Sequence, residues 1–359
     1  MNLKSIVKNT AFLFERVENK SEDFEIIDEI IKFCNLGESS RIEFVASNYN
    51  YDVYKAVINN NTYCIKYSLD VDFKGFEYEH NILSSSKVAM QPEAFFYGTL
   101  KFGDEISYLV TSFENAETIY EAGRGLIIEN IEQFINCYFS LHDNELPKIS
   151  LKDYLLNAFK EYSTDSLSDD IIELFEKDGS LDEIKSIHNG LRSEIQNYYN
   201  IGVVDKKEFC HGNLNPLNIL IRGDSFKFVN FSKSFYGNSF FDLASIVIEF
   251  NLNKKLEKDF FLEFIKNKNL QLSETLWSEY KNCFEILIRV KMLELLFNFI
   301  QETYTFECER PSKILNIVNL FALNSEFFTE IPTIMKHHNF INNLIFQSLS
   351  KEDSDEINN

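Results

Sequence analysis

The chain has 359 residues, of which 45% are hydrophobic and 15% aromatic, whereas only 12 are glycine and 5 proline. This composition predicts folded domains with sizeable cores and excludes collagen-like or proline-rich linker character. The formal net charge of −21 disfavours nonspecific binding to nucleic acids and to anionic membrane surfaces, so neither is expected as a partner.

The cysteines and the apolar segments bear on the cellular compartment. Six cysteines are scattered along the chain without any CxxC pair, which predicts reduced core residues rather than a metal cluster or a disulfide framework. The first 20 residues contain no signal-peptide pattern. The segment 284–300 is apolar but interrupted by charged side chains, so a buried amphipathic helix is expected there. These features predict a cytoplasmic protein without a membrane span.

The first third of the chain has the alternating pattern of a sheet. Segments rich in β-branched and aromatic residues predict five strands, and the run 73–87 has apolar residues at helical spacing. The asparagines of "NNN" (59–61) predict the turn between the second and third strands, because asparagine tolerates left-handed backbone angles. The predicted strands lie in 41–46, 51–58, 62–68, 93–100 and 106–113.

The rest of the chain is predicted to be mainly helical. One exception is the stretch after residue 207, which reads as a short strand, a loop and a hairpin with its turn at Gly223-Asp224. We therefore expect an α+β protein with two lobes. The first, 1–113, has a helical extension followed by a five-stranded antiparallel sheet with one helix. The second, 114–359, is helical and carries the loop. The predicted helices are 128–142, 151–163, 168–177, 181–200, 239–252, 255–268, 274–302, 312–328 and 333–348.

Three short motifs follow one another in this second part. They read "HGNLNPLN" (211–218), "FVNF" (228–231) and "FDLASI" (241–246). Their order and spacing resemble the aminoglycoside phosphotransferase and choline kinase family, within the protein-kinase-like fold, over roughly residues 40–300. In that family the loop reads HGDxxxxN, and a hairpin, an aspartate-containing segment and a "DLA" motif follow it.

The resemblance implies roles for three asparagines. Asn213 stands at the position of the family's catalytic aspartate, which accepts the proton of the substrate hydroxyl. Asn218 matches the metal-binding asparagine, and Asn230 stands where the family has a second metal-binding aspartate. Both anionic groups are therefore replaced by neutral amides. Loss of a general base costs about 10²–10⁴ in rate, and hard cations such as Mg²⁺ prefer charged oxygen ligands.

Other positions match the family's nucleotide-binding framework. Lys66 corresponds to the strand lysine that contacts the phosphates, and Glu79 to its helix partner, with Glu77 as the alternative. The glycine-free segment 46–55 stands where a phosphate-covering loop belongs, which makes Ser47 and Asn48 candidates for cofactor binding.

The resemblance also implies structural positions. His211 and Asp242 are expected to hold the catalytic-loop backbone, and His142 is expected to be structural. The segment 111–116 would be the hinge beneath an adenine. The acidic residues of "LSDDIIELFE" (167–176) are typical of a solvated helix face rather than of a cation pocket.

Three functions remain open from the sequence. The first is a pseudokinase-like binding or regulatory protein, with ATP or another nucleotide as a possible ligand, Mg²⁺ weakly bound or absent, and a small molecule or a protein as partner. The second is an active ATP-dependent kinase for a hydroxyl of an amino-sugar, an amino-alcohol or a related metabolite. The third is another reaction type, such as nucleotidyl transfer, which no residue positively supports.

Overall fold

The fold is described from a computed structural model of the chain. The described residues divide into two compact units, each presented by itself. The described residues of one unit lie within 21–150 and 206–273, and those of the other within 151–202 and 274–344. The structure describes residues 21–47, 51–69, 71, 73–85, 92–123, 125–143, 149–177, 179–202, 206–223, 225–250, 252–304, 331–341 and 343–344.

The first unit contains a five-stranded sheet in the order β1-β2-β3-β5-β4. Every neighbouring pair in it is antiparallel. This confirms the predicted α+β class with its antiparallel sheet, and Lys66 lies on the third strand, as expected. The strands are β1 (Ser39–Ser47), β2 (Asp52–Ile58), β3 (Asn61–Ser68), β4 (Ala94–Phe102) and β5 (Asp104–Ser112).

The turn between β2 and β3 is made by two asparagines in the left-handed region. Asn59 has φ 50° and Asn60 has φ 65°, while Ile58 pairs with Asn61 across the hairpin. Two central residues with positive φ are typical of the tight turn whose twist matches that of the flanking strands. The "NNN" prediction is therefore confirmed.

Helix α1 (Ser21–Phe33) covers one face of this sheet. Its buried residues Ile27, Ile30 and Ile31 follow the spacing of one helical face and join the core formed by alternate strand residues. The carboxylate of Asp23 accepts hydrogen bonds from the hydroxyls of Tyr54 (2.9 Å) and Tyr67 (2.8 Å). Because side chains alternate along a strand, the residues between these core positions, including Lys66, point to the other face.

Helix α2 (Gly75–Ser85) also belongs to the first unit and contacts β4 and β5. Short helices follow the sheet, and further strands form two small sheets, β6-β8-β9 and β7-β10. The predicted hairpin is present as β8 and β9, with Gly223 at its turn at φ 59°; Asp224 lies outside the described residues. These elements are β6 (Glu117–Thr118), α3 (Ile119–Ala122), α4 (Gly125–Glu129), α5 (Ile131–Phe139), β7 (Glu208–Cys210), β8 (Ile219–Arg222), β9 (Ser225–Phe228), β10 (Phe235–Gly237), α9 (Phe240–Glu249) and α10 (Lys254–Asn267).

The second unit is helical in its described part. Helix α8 (Leu181–Gly202) packs against helix α11 (Glu274–Tyr304). The buried guanidinium of Arg289 on α11 donates to Glu194 on α8 at 2.7 Å and to Glu285 at 2.6 Å, so its charge is paired. The helices of this unit are α6 (Leu151–Glu161), α7 (Asp169–Lys177), α8 (Leu181–Gly202), α11 (Glu274–Tyr304) and α12 (Pro332–Lys336).

Some sequence predictions reach beyond the described part of the chain. The predicted helix 312–328 lies outside it, and of 333–348 only the first part is described. The cysteines that the structure describes are all free; Cys308 is not among them. In the described ranges, no helix is both long enough and apolar enough to cross a membrane. The lobe boundary at 113/114 stays a prediction.

Candidate functional site

The site centres on a buried ion pair. The ammonium of Lys66 on β3 donates to both carboxylate oxygens of Glu79 on α2, each at 2.8 Å. Burial by itself lowers the pKa of Lys66, but the facing carboxylate of Glu79, with smaller contributions from Tyr51 and Cys64, raises this pKa above its ordinary value. The lysine therefore remains charged. Glu77, the alternative partner from the sequence, is exposed.

The loop after β7 is held by the carboxylate of Asp242 on α9. Its two oxygens accept from the backbone N–H groups of His211 (2.6 Å) and Gly212 (3.0 Å), and from the hydroxyl of Tyr138 (2.7 Å). Gly212 has φ 75°, and a Cβ there would lie 2.1 Å from the carbonyl oxygen of Lys233. The close approach and the left-handed backbone both require glycine. This is the arrangement that the sequence led us to expect for Asp242.

His211 is fully buried and anchors the same loop. Its Nε2–H donates to the carbonyl of Val229 at 3.1 Å, which leaves Nδ1 to accept from the N–H of Asn213 at 3.3 Å. Burial lowers the pKa of this imidazole to about 3, despite the opposing hydrogen bond to Val229. His211 is therefore neutral and serves to position the loop.

We expect acid to weaken the fold through His211. Its pKa is about 3 when folded, against an ordinary value of 6.5. The unfolded chain therefore binds more protons, and stability falls as the pH drops from 6.5 towards 3. Burial raises the pKa of Asp242 from 3.8 to about 6, which acts in the opposite direction between those two values. Urea unfolding near pH 7, 6 and 5 should show the stability gap between wild type and His211→Gln narrowing towards acid; a constant gap would contradict this assignment.

Three asparagines of the loop form a chain of amide hydrogen bonds. The side-chain amide of Asn215 donates to Oδ1 of Asn213 at 3.1 Å, and its own Oδ1 accepts from the N–H groups of Leu217 and Asn218. The amide of Asn218 donates to the carbonyl of Asn213 at 2.9 Å. Asn215 thus closes a local turn, and the side chain of Asn213 is held inside an uncharged network.

Asn230 connects this loop to the sheet and to α2. It has φ 67°, a left-handed conformation that asparagine tolerates better than most residues. Its Nδ2 donates to Oδ1 of Asn218 at 3.3 Å, and its backbone N–H donates to Glu79 at 3.2 Å. Its Oδ1 accepts from the hydroxyls of Tyr51 (2.7 Å) and Ser232 (2.9 Å).

This donor set does not suit a magnesium ion. The candidate ligand oxygens, Asn218 Oδ1 and Asn230 Oδ1, are amide oxygens, and both already accept hydrogen bonds from the protein. The nearby carboxylate, Glu79, is bonded to Lys66. Within the described residues no group of three or more His, Cys, Asp or Glu side chains could hold a metal ion. Mg²⁺ prefers carboxylate and phosphate oxygens in octahedral geometry.

The structure brings together most of the residues that the sequence singled out. Lys66, Glu79, Asn218 and Asn230 form one connected network, and Asn213 joins it through its carbonyl. Two predicted cofactor residues are not placed: Ser47 ends β1 with its side chain undescribed, and Asn48 lies outside the described residues. The same holds for the side chain of His142. The acidic residues at 169, 170 and 173 are exposed on α7.

Sequence reasoning missed several residues of the site. Tyr51 and Ser232 bond the oxygen of Asn230, and Tyr138 bonds Asp242. In the predicted hinge, Glu114 pairs with Lys227 at 2.6 Å. Tyr51 lies 179 positions from its partner and Tyr138 lies 104 from its own, so no local pattern could reveal these contacts.

Comparison with known proteins gives the fold. No protein-family model and no curated protein sequence matches the chain. Among solved structures, choline kinase LicA from Streptococcus pneumoniae is similar with a TM-score of 0.56 and 16% identity, covering 84% of this chain and 99% of LicA. Aminoglycoside phosphotransferase APH(4)-Ia gives a TM-score of 0.54 and 10% identity, covering 83% and 99%. The chain has the protein-kinase-like fold of these phosphotransferases.

A third solved structure is similar over a larger share of this chain. Spectinomycin phosphotransferase APH(9)-Ia, in complex with ADP and spectinomycin, has a TM-score of 0.51 and 13% identity, covering 90% of this chain and 98% of that protein. LicA has also been solved in complex with AMP. At such low identity, the likeness shows the fold, and the chemistry has to be argued from the residues present.

Proposed function

We propose that this chain is a pseudokinase-like protein, which keeps the nucleotide-binding framework of the phosphotransferase fold and has lost most of its phosphoryl-transfer activity. The observation that carries the proposal is the uncharged network of Asn213, Asn218 and Asn230. Amide groups stand at both positions where the resemblance implies a carboxylate.

The chemical reason is that phosphoryl transfer relies on positioning and on neutralisation of charge. The amide of Asn213 cannot take a proton from a substrate hydroxyl. The oxygen of Asn230 carries no formal charge and is already bonded to two hydroxyls. A site with neither a base nor an anionic metal ligand lacks two of the groups that stabilise in-line transfer.

Nucleotide binding is compatible with the residues that remain. The ion pair of Lys66 and Glu79 is intact, and the similar structures hold ADP or AMP. We therefore propose ATP or another nucleotide as the ligand, with an affinity that depends weakly on Mg²⁺. The biological output would then be binding or regulation, through a small-molecule or protein partner.

One observation favours a second function. The ion pair and the Asp242-held loop are the parts that an active kinase also needs. An ATP-dependent kinase acting on a hydroxyl of an amino-sugar, an amino-alcohol or a related metabolite is therefore the alternative. It would require a water molecule or an already ionised acceptor in place of the missing base.

The experiment restores both carboxylates with Asn213→Asp and Asn230→Asp together. If catalysis is absent for want of these groups, the double variant should turn over ATP in a Mg²⁺-dependent manner, at least about 10²-fold faster than wild type. Phosphate release measures turnover, and calorimetry measures nucleotide affinity with and without Mg²⁺. Asn215→Asp is the control for the added charge in the loop, because it introduces one carboxylate beside Asn213 but away from the two implied positions.

Two results would contradict the proposal. Robust wild-type phosphorylation of an alcohol, abolished by Asn213→Ala, would show that the amide-bearing site is a working enzyme. Equal gains of turnover in the double variant and in Asn215→Asp would show that added charge, rather than its position, is responsible.

A further inference from the structure

The side chain of Tyr51 contacts both Lys66 and Asn230 at the centre of the site. This residue directly precedes β2, and only 6% of its surface is exposed. Its hydroxyl donates to Oδ1 of Asn230 at 2.7 Å. The ammonium of Lys66 lies 5.3 Å from the centroid of its ring. One side chain thus contacts an amide oxygen at one end and a buried ammonium on its face.

The tyrosine ring is held in this position by other aromatic residues. Its centroid lies 5.6 Å from that of Phe73 and 5.3 Å from that of Phe76, both in tilted arrangements. Leu109 of β5 completes the cluster. Aromatic pairs at these separations attract each other beyond the simple burial of their surfaces. The packing of these side chains therefore holds the ring of Tyr51 in contact with Lys66 and Asn230.

The chemistry of the phenol suits both neighbours. Its O–H supplies a partial positive charge to the amide oxygen of Asn230. The face of its ring supplies partial negative charge to an ammonium, as in other cation–π contacts. Tyr51 thus provides a hydrogen-bond donor to the oxygen of Asn230 and a ring face to the ammonium of Lys66.

This arrangement leaves little room for a ligand at Lys66. The exposed fraction is 7% for Lys66, 3% for Glu79 and 7% for Asn218. A phosphate gains most from the ammonium when it accepts a direct charge-assisted hydrogen bond from it. Any phosphate-bearing ligand that uses Lys66 must therefore displace the ring of Tyr51.

We propose that Tyr51 is the residue that limits phosphate binding at this site, acting as an intramolecular competitor for Lys66 and Asn230. This inference rests on the proposed nucleotide-binding function and adds to it a preference among nucleotides. Displacing Tyr51 reduces the apparent affinity, because only the displaced conformation can bind phosphate. Adenosine carries no phosphate and has no need to displace the tyrosine.

The test compares ATP with adenosine by calorimetry, without Mg²⁺, on wild type and two variants. Tyr51→Phe removes the hydroxyl and should tighten ATP binding about three- to tenfold, the range for one neutral hydrogen bond. Tyr51→Ala also removes the ring and should tighten ATP binding by more than about tenfold. Adenosine affinity should stay the same in all three proteins.

Tyr54→Phe is the matched control. It also removes a tyrosine hydroxyl from the same part of the chain, but that hydroxyl bonds Asp23 on α1, on the face of the sheet opposite Lys66. It should leave the affinities for ATP and adenosine unchanged. Thermal unfolding shows whether each variant is folded, and Tyr51→Phe, which keeps the packed ring, carries the test if Tyr51→Ala does not fold.

The possible results distinguish a failure of the proposed role of Tyr51 from a failure of the proposed nucleotide binding. Equal ATP affinity in wild type and in the folded Tyr51 variants overturns the role of Tyr51 and leaves nucleotide binding intact. A parallel gain for adenosine also overturns that role, because the effect would then not concern phosphate. If no protein in the set binds either ligand, the nucleotide site and the role of Tyr51 both fail.

Discussion

Replacing Asp242 with alanine should lower the free energy of unfolding by about 3–5 kcal/mol, the range seen when one partner is removed from a buried charged network. The carboxylate is almost completely buried and accepts from the N–H groups of His211 and Gly212 and from the hydroxyl of Tyr138. Each of these donors would lose its partner, and an unsatisfied buried donor costs about 1–3 kcal/mol. Relief of the buried carboxylate offsets part of the sum, since burial raises the pKa of Asp242 to about 6.

Urea unfolding near pH 7 measures the loss, with Asp23→Ala as the control. Asp23 also accepts from two hydroxyls, those of Tyr54 and Tyr67, but it is half-exposed, so water can replace it. The Asp23→Ala substitution should lower the free energy of unfolding by about 1 kcal/mol. Equal losses for the two variants would mean that Asp242 is no more than one hydrogen-bond acceptor among others, and that the loop is held in another way.

The second large effect concerns the ion pair. Replacing Glu79 with alanine should also cost about 3–5 kcal/mol, because it leaves the ammonium of Lys66 buried and uncompensated. The carboxylate bonds that ammonium through both oxygens and also accepts from the N–H of Asn230. The double variant Lys66→Met/Glu79→Leu removes both charges and should recover most of the loss, since apolar residues of similar volume can replace a buried pair.

The control for the ion pair is Glu173→Ala. Glu173 pairs with Lys177 at 2.8 Å on the surface of α7, where both side chains are exposed. Solvent screens such a pair, so the stability should not change measurably. If Lys66→Met/Glu79→Leu were as unstable as Glu79→Ala alone, the loss would come from packing or from the bond to Asn230 rather than from the unpaired charge.

Local patterns in the sequence were enough to predict the strands of the sheet and the position of the loop. Alternation placed Lys66 on the third strand, and "NNN" placed a turn that the structure makes with positive φ at Asn59 and Asn60. The ordered motifs after residue 210 indicated the protein-kinase-like fold that the similar structures show. Strand periodicity and turn chemistry are short-range signals, because each depends on residues within a few positions of one another. The motifs extend over residues 211–246 and indicated the fold through their resemblance to a known family.

The sequence by itself also determined what the site lacks, since the absence of carboxylates at 213 and 230 can be read directly from it. Only the tertiary structure decided what surrounds those amides. It brought Tyr51 to Asn230 across 179 positions and Glu79 to the same residue across 151. Period-two alternation shows which face a side chain occupies, but not which distant group meets it there. That choice is made when the elements pack together, because burial favours arrangements in which polar groups find hydrogen-bond partners.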